Sequence, residues 1–325
     1  NKIIGILLIL FVAVNFIPSQ YLINEPGPAI KLSEIITVED SYREDDWGGF
    51  YLTSVSQRRA SFWDVAIFYL FPSKNKELIP VDSAIPSGMS ETEYLDLMHE
   101  MMVESQLSAQ AVAYRELGYE VEMTGEGVKV VDLVEGGQAE DILKPDDIIV
   151  KIDDKKVELA SEAVELIKSY PIGTELVLEV KRGDDIQEFE IVTGEHPEEA
   201  GQSSIGVYIT TADLDYDMPE FVSFSSENIV GPSAGVMFSL EIYNQLTEED
   251  ITEGQKYAGT GTINYEGEIG RVGGERLKIL AANKTEINKF ILPEEHGVSL
   301  ENLNFEIEII KSSNFEDLLD RLAAQ

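Results

Sequence analysis

A chain of 325 residues is long enough for two compact domains. Its 24 basic and 61 acidic residues give a formal charge of −37, which works against a nucleic-acid partner, because affinity for a phosphate backbone depends on lysine and arginine displacing counterions. There is no cysteine, which excludes disulfides, a thiolate nucleophile and a cysteine-ligated metal; the three histidines, His99, His196 and His296, are far apart and make no H-E-x-x-H spacing.

The chain opens with KIIGILLILFVAVNFIP, apolar over residues 3–17 behind Lys2. At 1.5 Å per residue this run covers roughly 22 Å, short of a hydrocarbon core of roughly 30 Å, and Tyr21, Leu22 and Ile23 can extend it. It reads as a membrane anchor over residues 1–23. No A-x-A site precedes Pro18, which favours a retained signal anchor over a cleaved signal peptide, and the polar residues downstream disfavour a buried core helix. NEPGPA, with two prolines, then reads as part of a linker over residues 24–44.

GGFYLTSVS and WDVAIFYLF have the β-branched and aromatic content of strands. Residues 90–118 open with a capping box, Ser90-x-x-Glu93, carry Leu97, Met101, Leu107, Ala111 and Ala113 at helical spacing, and stop at Gly118; they predict one or two helices. From Tyr119 the pattern becomes strand, strand, helix, strand, strand, with tight turns at Gly136-Gly137, Asp153-Asp154 and Gly183-Asp184. GVKVVDLVEGGQAEDILKPDDIIVKIDDKKV in this stretch resembles a bacterial PDZ domain, placed over residues 119–197. The resemblance implies binding of an extended peptide by strand addition, in a groove between residues 127–134 and a helix over residues 161–170. Bracing or shielding of the rest of the chain is the other role open to this domain.

The last part, residues 198–325, contains NIVGPSAGVMFSLEIYNQL. Ser233 lies between Gly-Pro and Ala-Gly where a turn runs into an amphipathic helix. There its hydroxyl sits near free backbone amides at the positive end of the helix dipole, the donors that acyl transfer requires at its developing oxyanion. Taken alone, Ser233 reads first as a helix-capping serine beside an early-helix proline, the common use of such residues. With no histidine at hand, a base is needed. Lysine serves if burial brings its pKa down from about 10.4. Lys278, at the start of a helix with Ile279, Leu280, Ala281 and Ala282, fits that requirement; Lys284 lies at the polar end. A surface helix lysine is the ordinary alternative for Lys278.

GPSAG together with GTGTINYEGEIGRVGGERLKILAA resembles the proteolytic domain of Lon-type peptidases, in which a serine lies in G-P-S-A-G and a lysine follows a Gly-Gly pair; Gly273 and Gly274 put that lysine at Lys278, 45 residues after Ser233. GGFYLTSV and MMVESQLSAQAVAYRELG look like an early strand and helix of the same domain, its first part taking residues 45–118, so that the PDZ-like unit is inserted in it. This arrangement is similar to the membrane-tethered, PDZ-containing peptidases of Gram-positive bacteria of the SepM or YlbL type. The resemblance implies an α+β chain: a Lon-like proteolytic domain with an inserted PDZ domain and an N-terminal transmembrane helix. It further implies a Ser-Lys dyad of Ser233 and Lys278, peptide or small membrane-proximal protein substrates outside the cytoplasm, secreted signalling peptides among them, and a homo-oligomer, by analogy a hexamer. Neither a cofactor nor a metal is required. Val230 departs from the ATP-dependent pattern, which has Asp before this glycine. No G-x-x-x-x-G-K-[ST] occurs in these residues, so the expected activity is ATP-independent. A non-catalytic PDZ adaptor on a Lon-like scaffold is the competing reading.

Overall fold

The computed structural model describes residues 18–43, 48–85, 89–134, 136–196, 201–225, 229–294 and 306–324. The apolar run of residues 3–17 and His296 lie outside them. No helix among the described residues is long and apolar enough to cross a membrane.

The chain divides into two compact units, Asn1–Ala84 with Phe221–Gln325, and Ile85–Glu220. The first unit begins with strands β1 (Pro18–Lys31) and β2 (Gly49–Ser61), helix α1 (Phe62–Leu70) and strand β3 (Glu77–Pro80). The second holds helix α2 (Glu91–Glu116), strands β4 (Gly127–Leu133) and β5 (Ile148–Ile152), helix α3 (Ala160–Lys168), and strands β6 (Glu175–Arg182), β7 (Asp185–Val192) and β8 (Val207–Ala212). The chain then returns to the first unit with helix α4 (Gly235–Leu246), strands β9 (Lys256–Gly259), β10 (Thr262–Ile263) and β11 (Ile269–Gly270), helix α5 (Glu275–Lys284), strands β12 (Lys289–Pro293) and β13 (Glu308–Ser312), and helix α6 (Phe315–Ala323).

In the first unit one sheet runs in the order β13-β12-β9-β2-β1-β3, parallel from β13 through β2 and antiparallel from β2 onward. KFILP of β12 is almost wholly buried, the unbroken apolar run that a central parallel strand needs when both faces are covered. Phe290 and Leu292 pack with Ile279 and Ala282 of α5 and with Ala258 of β9, so the helix bearing Lys278 is held against the sheet.

Three expectations are corrected here. Asn24 to Ala29 do not form a linker, and Tyr21 to Ile23 do not extend an anchor: both lie in β1, where a register shift between Pro26 and Ala29 lets the strand absorb its prolines. A Cβ on Gly27 would come within 2.5 Å of Ser54 Oγ, so the bulge brings two backbones together where only glycine fits. WDVAIFYLF is a helix. Ser61 accepts the Asp64 N–H and the Asp64 carboxylate accepts the Ser61 N–H, a capping box that overrides the strand preference of the aromatic residues.

The second unit is built on a sheet ordered β7-β6-β5-β4-β8, with Lys155–Lys156 paired to β5. Leu176, Leu178 and Val180 of β6 alternate inward and meet Val128, Val130, Ile149 and Ile152, with Ala163 and Ile167 of α3 covering them. Helix α2 is a single helix with the Ser90–Glu93 capping box. It belongs to this unit, not to the first: Thr211 Oγ1 of β8 donates to Glu104 Oε1 at 2.7 Å. The groove also moves. Strand β4 already has β5 and β8 on its two sides and so has no free backbone edge for a peptide. Of the two edge strands, β7 and β8, it is β8 that meets α3: its Thr211 accepts the Ala160 N–H at the start of that helix (3.0 Å).

Asp147 locks this sheet. It is 1% exposed, takes a two-pronged contact from Arg182 (2.7 and 2.6 Å) and accepts the Lys144 N–H at 2.8 Å. Burial raises its pKa, but the Arg182 guanidinium and the Lys144 N–H outweigh burial and hold the carboxyl below its ordinary value. The pair therefore stabilises the fold above the unfolded carboxyl pKa of about 3.9, and that stability is lost as pH falls through the lower folded value. Asp147→Asn is expected to cost about 2–4 kcal/mol, because Arg182 loses its partner, and calorimetry should show a lowered unfolding midpoint for this unit.

Candidate active site

Ser233 lies in the turn before α4, with Gly231 at φ +87° and Ala234 as the helix N-cap. The amides of Ser233 and Ala234 precede the i→i−4 ladder of α4 and have no hydrogen-bond acceptor among the described residues. Those two N–H groups are available to an oxyanion. The serine is a turn residue presented by the helix start, and its side chain caps nothing.

Lys278 lies in the first turn of α5, whose N-cap Gly274 has φ +70° and ψ 22°, the left-handed region. A Cβ on Gly274 would come within 2.9 Å of Val55 Cγ2 of β2. Glycine here lets the helix begin tightly against the sheet, so that Leu277, Lys278 and Ile279 all point inward. Lys278 is 5% exposed, and its Nζ lies 3.0 Å from Ser233 Oγ and 2.9 Å from Thr260 Oγ1. Burial lowers its pKa from 10.5 to about 8, against a small opposing pull from Glu275. Lys284 is exposed and donates to the Pro26 carbonyl at 3.2 Å, as its place at the polar end predicts.

Thr260 joins the pair. It follows β9, is fully buried, and donates its hydroxyl proton to the Ser233 carbonyl at 2.9 Å, a carbonyl that also takes the Gly261 N–H at 3.0 Å. With that proton committed, Thr260 Oγ1 is an acceptor toward Lys278. A neutral Lys278 then gives one N–H to Thr260 and turns its lone pair to the Ser233 hydroxyl. Glycines on both sides make this approach possible: a Cβ on Gly259 would lie 2.4 Å from Met237 Sδ, and one on Gly261 3.0 Å from Val236 Cγ1. The part of Thr260 goes beyond what GTGTINYEGEIG predicts on its own; its one local sign is a threonine set between two glycines next to a buried strand.

The arrangement has the parts of acyl transfer: a hydroxyl, a base within hydrogen-bond reach and two free amides at the same turn. No group of three or more His, Asp or Glu able to hold a metal occurs among the described residues.

Residues 225–324 match the family described as the Lon protease (S16) C-terminal proteolytic domain, and residues 116–193 match the PDZ domain. The chain carries a Lon-type serine peptidase domain. The Lon protease of Halothermothrix orenii is 31% identical over 108 residues, which are 33% of this chain and 14% of the relative. That of Clostridioides difficile is 28% identical over 160 residues, 45% of this chain and 19% of the relative. The chain thus spans less than a fifth of the length of these relatives. The PDZ domain of an SdrC-like protein from Listeria monocytogenes is 26% identical, covers 26% of this chain and 90% of that one, and has a TM-score of 0.25.

Thr260→Val removes a hydroxyl at nearly constant volume and strands a Lys278 N–H and the second acceptor site of the Ser233 carbonyl. At about 1–3 kcal/mol for a buried group left unpaired, kcat/KM on a peptide substrate should fall roughly tenfold to a hundredfold, with Thr260→Ser keeping most of it.

Proposed function

We propose that this Lon-type domain is an ATP-independent endopeptidase in which Ser233 is the nucleophile and Lys278 the general base, anchored in the membrane by residues 3–17 and acting on peptides or small membrane-proximal proteins outside the cytoplasm. The observation that carries the reading is a buried amine of lowered pKa 3.0 Å from a serine hydroxyl. Ser233 Oγ bonds to the scissile carbonyl carbon as its proton passes to Lys278 Nζ, and the carbonyl oxygen takes the negative charge beside the Ser233 and Ala234 amides. The tetrahedral intermediate collapses, the C–N bond breaks, and the Lys278 ammonium returns the proton to the leaving amine. Water then attacks the acyl-serine, again giving a proton to Lys278, and the acid product leaves as the serine recovers its hydrogen.

Peptide recruitment is the role proposed for the second unit, with the open edge of β8 adding a substrate strand, in keeping with the PDZ match and the position of that strand in the sheet. Assembly into a hexamer is proposed on the resemblance to Lon-type domains. ATP independence is proposed of the activity of these 325 residues, which carry no G-x-x-x-x-G-K-[ST].

Ser233→Ala and Lys278→Met should each abolish cleavage of a fluorogenic peptide while circular dichroism stays unchanged; turnover retained by either removes the mechanism. For the parent chain, kcat/KM should rise with pH and level off, with a midpoint near 8, as Lys278 loses its proton. Stability carries the same sign: between about 8 and 10.5 the unfolded chain holds more protons than the folded one, so unfolding free energy rises with pH across that window, and Lys278→Met should remove this rise.

A further inference from the structure

Helix α1 is the one element whose chemistry neither the fold nor the catalytic reading uses. Eight of its nine residues, FWDVAIFYL, are apolar, yet none is buried. Tyr69, Leu70 and the following Phe71 are 66%, 72% and 73% exposed, the three most exposed large hydrophobic residues among those described; Phe62 and Ile67 are more than half exposed as well. A capping box holds the helix at its start, and Arg58 clasps Asp64, the helix's sole charged residue, with contacts of 2.7 and 2.8 Å. The helix is thus firmly built and leaves its apolar surface to water, an arrangement that marks a contact surface.

Three observations identify what covers it. The backbone at Pro18 pairs with Ser61, the N-cap of α1, so the apolar run of residues 3–17 leads into the fold at the foot of this helix. Arg58, Arg59, Lys74 and Lys76 flank the helix in sequence and Asp64 is the single acid between Arg58 and Lys76, in a chain whose net charge is −37. Arg58 is paired with Asp64 and Lys76 with Glu25, and an apolar face between flanks that are basic in sequence suits an anionic lipid surface. Phe, Trp and Tyr in one short helix are also the residues that gather at the membrane interface.

We propose that α1 and Phe71 lie in the headgroup region of an anionic bilayer, giving the peptidase unit a second membrane contact beside the anchor. The basic flanks of the helix lie at the level of the lipid phosphates while Ile67, Leu70 and Phe71 enter the acyl boundary. The docking rests on the membrane placement proposed above for residues 3–17, and the two can be read separately.

The chain has two tryptophans, so Trp47→Phe leaves Trp63 in α1 as the sole reporter, its ring 5.6 Å from that of Phe62. The 325-residue variant is mixed with phosphatidylglycerol–phosphatidylcholine vesicles carrying bromine on the acyl chains. The expected result is a blue shift and loss of Trp63 emission, weaker in vesicles without phosphatidylglycerol. Adding Ile67→Ser, Leu70→Ser and Phe71→Ser should abolish the quenching while cleavage of a soluble peptide continues at the parent rate. Emission unaffected by brominated lipid overturns the docking, whether or not the chain floats with the vesicles. So does shielding of Trp63 that grows with protein concentration in the absence of lipid, which would give the face to a second copy. Flotation that survives alkaline carbonate reports the anchor: with it but without quenching the anchor stands and the docking falls, and quenching that carbonate reverses leaves the docking without the anchor.

Discussion

The amine of Lys278 is kept dry, and the catalytic reading depends on that single constraint. The net charge of −37 and Glu275, one turn away, both favour the protonated form of this amine. Burial must outweigh both, and it does so because α5 begins on a glycine pressed against β2 and turns the lysine into the space between helix and sheet. The amine's two hydrogen-bond partners are hydroxyls, which hold it without adding a charge that would restore the ammonium.

Close backbone approach is how the first unit keeps this geometry. Glycines at 259 and 261 let β9 and its continuation meet α4, and the Ser233 carbonyl is then held by Thr260 and Gly261 together. Val236 closes the loop by donating its N–H to the Gly261 carbonyl at 3.2 Å. The serine turn is thus fixed from its carbonyl side, which leaves its hydroxyl and amides as the groups free to act on a substrate.

The second unit follows different rules. Its core is an alternating sheet under α3, closed by the buried Asp147–Arg182 pair, and it includes a helix before the PDZ match and a strand after it. That strand, β8, comes from residues 207–212, beyond the matched stretch of 116–193, and it supplies the sheet's open edge next to α3. Glu104 of α2 is half-buried against the same strand, and desolvation raises its pKa while the Thr211 hydroxyl bond offsets part of the rise.

The sequence by itself made the catalytic reading legible: a serine in a glycine-proline turn, a lysine opening an apolar helix, turn glycines and a capping box at 90–93, all local patterns whose meaning lies within a few residues. Even there WDVAIFYLF deceived, since strand propensity is weak and a cap at Ser61 outweighs it. What only the tertiary structure decided were relations between distant segments. Thr260 gained its part from a contact across 27 residues to Ser233 and 18 to Lys278. NEPGPA became a strand because β2 runs along it, with β3 reaching only its first residue, Asn24, and β4 lost its free edge because residues 207–212 return to pair with it. Hydrogen-bond partners and burial are properties of the folded neighbourhood, and a one-dimensional pattern holds no record of which distant backbone will supply them.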